Sequence, residues 1–582
     1  MRTLNPREIG DQHVKDVTAE VKHYLSTGTY LNNCSVVTAT AKFILEHQKE
    51  TTQVIGKFEA ENTNTHPDLL LFTVDGSVTP VNLYKIKNSQ TIQPKNLGAK
   101  SFIKKYFKAP ELQYDFNGFF DLVYNDYLRD MVGTIRDASD EVDTLQNYRK
   151  VLRESGVKFN DDSKEIKSRL LYELREKCFS LFLKQYNEKS KGMENAFNEL
   201  FMTNSFNVIS RYRDNKFISV EEFKVVVPEI DEVSILKIGA NTVGFSIDNI
   251  ILMMRFKFES GPASSIKLAT SFTEKKPIDA VADENKSSLL FFKNAISKRL
   301  KKSLNVKDQN AIGKCSESIF YSQLLEMMGD VKQIDSQNFI VMFNNYSDKV
   351  PNKDIKDIVK STVDTAKSLI KFLDKKYDGY SIESIELVPD NYLKNRLDTA
   401  DLELVLKSNG KYATEPVSLK ATRENTGSIT CKNPGVGQIM GSTYFDLDQT
   451  SLSVLVDQLK SSFINNDDNR RYVMEQVSSN IGLQLVNADQ KNLIKGIQAV
   501  LGRAVVVIIF YKQNKHVILE HDENAIKNLL VQINTPSNIQ NTLVWLDGKE
   551  QVSLRVKFSG GKKRGWSSLK LACSHNFSLI QG

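Results

Sequence analysis

The sequence predicts an α/β protein built from two related domains, each a central mixed sheet flanked by helices, with helical insertions. Three observations carry that prediction. The chain matches itself in four places taken in the same order. The run Ala504 to Tyr511 (AVVVIIFY) is short and wholly apolar, as in a strand buried on both faces of a mixed or parallel sheet. Between strand-like runs, apolar and charged residues recur at helical spacing, as in Leu170, Leu171, Leu174, Phe179, Leu181 and Phe182.

In chain order, the first match sets Cys34-Ser35 beside Cys315-Ser316, each opening a helix-like stretch. The second pairs Pro67-Asp68-Leu-Leu-Leu-Phe with Ala400-Asp401-Leu-Glu-Leu-Val, and a lysine follows at the same distance in both, since 87 − 68 = 19 and 420 − 401 = 19. The third relates Lys95-Asn-Leu-Gly98, leading to Tyr106-Phe107, to Lys432-Asn-Pro-Gly435, leading to Tyr444-Phe445. The fourth relates Arg255-Phe-Lys-Phe and the following Ser264-Ser-Ile-Lys267 to Arg555-Val-Lys-Phe and Ser567-Ser-Leu-Lys570. The last pair reads as a β-hairpin in each half, with turns at Gly261-Pro262 and Gly560-Gly561.

These matches divide the chain into residues 1–273 and 289–582, joined by a polar linker at 274–288. Each half runs from a helix to a strand carrying the Asp, a turn, a second strand carrying the Lys, a glycine-bearing loop and helix, and the terminal hairpin. The first half carries a helical insertion at about 109–217. The second carries its insertion earlier, with helical character from Lys353 to Tyr377.

A chain of 582 residues with 26% charged and 40% hydrophobic residues is an ordinary globular composition, and the net charge, 78 − 71 = +7, permits a nucleic-acid partner without demanding one. The five cysteines include no C-x-x-C pair, and His516 and His521 have no cysteine pair upstream, which disfavours both a disulfide scaffold and a structural zinc. No apolar run reaches membrane-spanning length, and the first residues lack a signal-peptide core. A soluble, cytoplasmic protein is expected.

An Asp ending one strand and a Lys on the next place a metal-binding carboxylate and an ammonium at one sheet edge, a combination suited to phosphodiester hydrolysis with a divalent ion. The segment Asp401-x18-Lys420, with Val417-Ser-Leu-Lys420-Ala followed by Gly437-Gln438, resembles the PD-(D/E)xK nuclease superfamily, in particular its phage branch. The resemblance implies a restriction-endonuclease-like fold and a Mg²⁺- or Mn²⁺-dependent DNA endonuclease. It makes Asp401 the metal carboxylate, Lys420 the catalytic lysine and Gln438 a residue orienting substrate or water. The family's acid two residues before the lysine is Ser418 here. Several branches of the superfamily place a metal-binding Glu on the first helix, so the resemblance implies Glu317 as the second metal carboxylate, with Glu403 in reserve, because period-2 geometry puts it on the same strand face as Asp401.

In the first half Asp68 and Lys87 keep the pattern, but Lys85 stands at the position matched to Ser418 and Val36 at that matched to Glu317. One carboxylate beside two ammonium groups repels a cation, so this copy is expected to be degenerate and the protein a covalent pseudo-dimer; the resemblance to the phage branch implies that a phage encodes it. Two basic segments are candidate DNA contacts. One comprises Lys298, Arg299, Lys301 and Lys302, the other Lys562, Lys563 and Arg564 at a hairpin tip with Trp566 beside them to stack on a base. The plainer readings are a solvated helix face and a charged turn that resists edge pairing. The competing functional reading is a catalytically inactive nucleic-acid-binding or assembly protein, favoured by the serine at 418; homo-oligomerisation is left open.

Overall fold

Among the described residues, hydrogen bonding of the strand-like runs closes four sheets, two in each half of the chain. The computed structural model describes residues 6–576 except 32–34, 61–66, 88–90, 95, 136–143, 214–215, 227–228, 303, 305–306, 336, 390–399, 547, 549 and 561–564. The chain divides into two units, Met1–Pro277 and Ile278–Gly582.

The first unit runs α1 (Pro6–Thr27), α2 (Ser35–His47), β1 (Thr51–Gly56), β2 (Leu69–Thr73), β3 (Val78–Lys87) and β4 (Asn96–Gly98). Helices α3 (Pro110–Gly133), α4 (Leu145–Glu154), α5 (Asp161–Asn187) and α6 (Lys191–Phe201) follow. The unit closes with β5 (Phe206–Arg213), β6 (Lys216–Glu222), β7 (Ser234–Gly239), β8 (Thr242–Ile247), β9 (Ile250–Phe258) and β10 (Ile266–Glu274). One sheet has the order β1-β2-β3-β5-β6, the other β4-β10-β9-β8-β7. The helical insertion expected to reach residue 217 stops at Phe201. Phe206–Arg213 is instead a strand whose first five residues are buried, and it pairs in parallel with β3.

The second unit opens with α7 (Ile278–Leu300) and α8 (Gln309–Met328), then β11 (Lys332–Ile334), α9 (Asn338–Tyr346), α10 (Asn352–Lys376), β12 (Tyr380–Leu387), β13 (Leu402–Ser408), β14 (Lys411–Thr422) and β15 (Ser428–Lys432). Helices α11 (Val436–Met440), α12 (Gln449–Ser461), α13 (Asp467–Val486) and α14 (Gln490–Leu501) lead to β16 (Val505–Phe510), β17 (Lys515–Leu519), β18 (Leu530–Gln532), β19 (Gln540–Trp545), β20 (Glu550–Phe558) and β21 (Leu569–Asn576). Its sheets run β11-β12-β13-β14-β16-β17 and β15-β21-β20-β19-β18. Apart from the added edge strand β11, these orders repeat those of the first unit. Both units place a helical segment between the short first strand of the second sheet and the parallel strand of the first. The insertion expected to distinguish the first half therefore has a counterpart at 436–501.

Two of the elements read from sequence are well placed. The apolar run at 504–511 contains β16, buried at all six positions, and the matched hairpins are β9–β10 and β20–β21. The expected linker is not a free connection, because residues 278–288 are the first turns of α7. That polar stretch is one face of an amphipathic helix whose other face buries Asn285, Leu289 and Phe292. The Asn285 amide donates to the carbonyls of Gly329 and Val331 at 2.8 and 2.9 Å.

The basic run ending α7 also departs from expectation. Arg299 is 4% exposed. Its guanidinium donates to the Ser347 and Val350 carbonyls and to Asn352 Oδ1, with Asp348 at 3.3 Å, so it clamps α7 to the start of α10 and cannot contact DNA in this state. Lys302 pairs with Asp348 at 3.0 Å, while Lys298 and Lys301 are exposed. Arg299→Ala strands two buried carbonyls that accept from a cation, and is expected to destabilise the protein by roughly 2–4 kcal/mol. Lys298→Ala is expected to cost less than about 0.5 kcal/mol. Denaturant melts of the two variants check the difference, and equal midpoints would contradict the clamp.

Candidate active site

Strand alternation sorts the residues of the second unit's first sheet into two sets. Leu402, Leu404 and Leu406 of β13, Val417 and Leu419 of β14, and Val505, Val507 and Ile509 of β16 form the core covered by α8 and α10. Helix α8 starts cleanly because the Asp308 carboxylate accepts the Asn310 and Ala311 amides, and it is buried along most of its length. The intervening residues turn to the opposite face: Glu403 on β13, Ser418 and Lys420 on β14, and Val506, Ile508 and Phe510 on β16, which pack with Ile429 of β15.

Asp401 lies immediately before β13, where that strand parts from β14. Its Oδ2 accepts the Leu419 amide at 2.6 Å and the Ser418 hydroxyl at 3.2 Å, and the Lys420 ammonium lies 3.8 Å away. Among the described residues Oδ1 takes no hydrogen bond. The side chains of Asp401 and Lys420 are 13% and 26% exposed, so the pair is sheltered but reachable. Ser418, which stands where an acid was expected, instead orients Asp401.

The other expected ligands are differently placed. Glu317 belongs to α8, on the side of the sheet filled by the leucines, and forms a buried ion pair with Lys314 at 2.8 Å. Glu403 is buried on the face that carries Lys420, directly across from Glu386 of β12. The carboxylates of Glu386 and Glu403 approach within 4.8 Å. Glu386 was missed from sequence, although the alternation of Glu386 with Ile385 and Leu387 is the signal that would have placed it on this face. Among the described residues, no group of three carboxylate, imidazole or thiolate ligands includes Asp401 or Glu317. Gln438 is exposed on α11.

Lys562, Lys563 and Arg564 lie outside the described residues. Trp566 is not a free stacking platform at the tip. Its ring sits edge-on against Phe463 and Phe558 at 5.1 and 5.6 Å, because the hairpin base completes an apolar cluster. Cys315 is a packing residue whose thiol burial pushes up to about 12, and Cys34 lies outside the described residues.

In the first unit the same local device recurs with other residues. Asp68 Oδ2 accepts the Leu83 amide at 2.9 Å. Strand register then fixes which positions correspond, since Leu69 pairs with Val81 and Val81 with Phe206, as Leu402 pairs with Val417 and Val417 with Val505. Leu83 therefore answers Leu419, and the residue answering Lys420 is Tyr84, not Lys87. The equal spacing of 19 misleads because the hairpin of the second unit is three residues longer, 419 − 401 = 18 against 83 − 68 = 15. Asn82, at the place of Ser418, donates to Asn207. Lys85 lies over the Tyr212 ring at 5.4 Å, and Lys87 is exposed at the end of β3.

Among known proteins, the chain is 36% identical over 569 residues to the type II restriction enzyme BsuRI of Bacillus subtilis, a match covering 97% of this chain and 98% of that protein. No family model matches, and no solved structure matches.

Behind the first-unit site, burial and then the Lys85 charge lower His13 to about 3, and neither ring nitrogen has a hydrogen-bond partner among the described residues. The unfolded chain titrates near 6.5, so it binds more protons than the folded one below that pH. The neutral imidazole's contribution is complete above about 6.5 and is lost as pH falls toward 3, at roughly 1.4 kcal/mol per pH unit. His13→Leu is expected to flatten the fall in stability between pH 6.5 and 4.5 by about that slope. Thermal melts across the range test it, and parallel curves for parent and variant would contradict it.

Proposed function

The chain belongs to the family of type II restriction enzymes, and on that premise we propose that it is a DNA endonuclease with one nucleolytic centre, formed in the second unit around Asp401 and Lys420. The observation that carries this reading is the arrangement at the parting of β13 and β14. There one carboxylate is held by an amide and a hydroxyl while an ammonium stands beside it on a partly open face. The donor set suits a hard divalent ion, Mg²⁺ or Mn²⁺, which takes one or two carboxylates and keeps several waters. Asp401 would hold it through Oδ1, with Glu403, on the same strand face, as the candidate second carboxylate; Glu317, already compensated by Lys314, is set aside. When bound, such an ion supplies positive charge for the phosphodiester. Lys420 adds an ammonium that stabilises charge building on the phosphate, Ser418 and the Leu419 amide fix the carboxylate, and Gln438 is exposed for contact with substrate.

We read the two units as a tandem duplication with one degenerate copy. The repeated strand orders and the recurrence of the Asp-to-amide bond support the duplication. Tyr84 at the lysine's position supports the degeneracy. The first unit would then grip DNA without cutting it, as the inactive half of a covalent pseudo-dimer. A relative from a bacterium lends no support to the phage origin expected from sequence. Among the described residues no helix is long and apolar enough to cross a membrane.

With Mg²⁺ and a duplex substrate, Asp401→Asn and Lys420→Ala are each expected to lower the cleavage rate by about 10² to 10³ with DNA affinity little changed, whereas Asp68→Asn leaves the rate within a few-fold of the parent. Binding without cleavage by the parent would favour the binding-only reading. An equal loss from Asp68→Asn would remove the asymmetry.

Replacing Lys562, Lys563 and Arg564 together with Ser is expected to flatten the dependence of log affinity on log salt by roughly two to three units, at about 0.9 per phosphate contact. Titrations at several salt concentrations measure it, and an unchanged slope would mean that Lys562, Lys563 and Arg564 make no phosphate contacts.

A further inference from the structure

Away from Asp401, the second unit gathers two imidazoles and a carboxylate. One ligand atom each from His521, Glu550 and His575 lies within 4.8 Å of the others. His521 follows β17 in the first sheet, Glu550 begins β20 and His575 lies in β21, so a loop leaving one sheet meets two adjacent strands of the other. His575 is wholly buried, with Nε2 3.4 Å from Glu550 Oε2. Its ring stands edge to face with His521 at 4.9 Å and parallel to Trp545 at 6.4 Å. Neither nitrogen of His575, nor Nε2 of His521, has a hydrogen-bond partner among the described residues.

Leaving three buried nitrogens unmet is costly, and the first unit shows that the fold does not require polar groups there. Arg255 pairs with Ala269 as Arg555 pairs with Ala572, which makes Ile250 the counterpart of Glu550 and Phe272 that of His575. In that unit Phe272 packs against Phe223 at 4.7 Å, an apolar plug. The second unit has three ligand-bearing side chains aimed at one point instead.

We propose that His521, His575 and Glu550 form a binding site for a zinc-class transition-metal ion, separate from the nucleolytic centre, that ties together the two sheets of the second unit. Two imidazoles and one carboxylate are donors that suit Zn²⁺ and its neighbours, whereas Mg²⁺ prefers oxygen alone. Ligation needs neutral imidazoles. The sequence turned away from zinc because no cysteine pair accompanies His521, but a site of this composition uses none. His575 pairs with Ile429 of β15, whose side chain packs against β16 under Lys420's sheet, so the ion would brace the framework of the proposed centre without touching it.

The test uses the full chain, stripped with a chelator and titrated with Zn²⁺ by calorimetry and with Co²⁺ by visible absorption. The expected result is one equivalent bound, a Co²⁺ ligand-field band, and a Zn²⁺-dependent rise in melting temperature. His521→Ala and Glu550→Gln should each weaken binding at least about tenfold and abolish that rise, while Asp401→Asn keeps both. His575→Phe borrows the first unit's own residue, and His521→Ala lies outside the strands, so a folded variant is available even if Glu550→Gln misfolds. A parent that takes up no Zn²⁺, or binding and thermal shift undiminished in the folded variants, would overturn the proposal.

Discussion

A carboxylate that accepts a backbone amide at the point where two strands diverge is the constraint on which the proposed centre depends. The Asp401 backbone is fixed on both sides, its amide donating to the Val417 carbonyl at 2.9 Å and its carbonyl accepting from Val388 at 3.0 Å, and its side chain is fixed as well, because Oδ2 accepts the Leu419 amide from β14 at 2.6 Å. An amide donated to an ionised carboxylate is stronger than a neutral hydrogen bond and directional. Once it forms, alternation along β14 leaves no choice about the neighbours: Ser418 and Lys420 must both turn toward Asp401, and Leu419 must turn into the core beneath α8. The pairing of β14 with the wholly buried β16 locks the register, because a slip of one residue would carry Lys420 into that core.

The same bond between Asp68 and Leu83 shows that the constraint belongs to the fold and the chemistry to the residues placed on it. With Tyr84 in the lysine's place, its hydroxyl on Met202, the first unit keeps the framework and loses the ammonium carried by the second hairpin strand. The ammonium nearest Asp68 comes instead from Lys57, just after β1, which lies 3.9 Å from Asp68 and also 3.7 Å from Asp11. Lys85 spends its charge over Tyr212 and against the buried His13. The second unit concentrates acid on the corresponding face instead, with Glu403 and Glu386 opposite one another.

The parts of this architecture legible in the sequence are those in which local pattern and three-dimensional role coincide. The run at 504–511 could only be a buried strand, and the alternation of Arg255 and Lys257 with Phe256 and Phe258 could only be a strand with one buried face. Asp401 and Lys420 were legible because a hairpin brings near neighbours in sequence together. The counterpart of Lys420 was not, since a hairpin's arm length is set by pairing and equal spacing cannot reveal a three-residue difference in where the strands part. Arg299 looked like one more cation in a basic run, and only the carbonyls of Ser347 and Val350, some fifty residues on, make it a clamp. Glu386 and the trio of His521, Glu550 and His575 come from separate strands and a loop, where convergence is a property of sheet order and of no local motif.

The central claim is that the cation-holding carboxylates of a nucleolytic centre reside in the second unit alone. The most direct measurement is calorimetric titration of the full chain with Ca²⁺, which takes oxygen donors and so largely ignores the imidazole-bearing site, in the parent, Asp401→Asn and Asp68→Asn. The account predicts that Asp401→Asn loses the binding isotherm and Asp68→Asn retains it. Retention in Asp401→Asn, or an equal loss in Asp68→Asn, would contradict it.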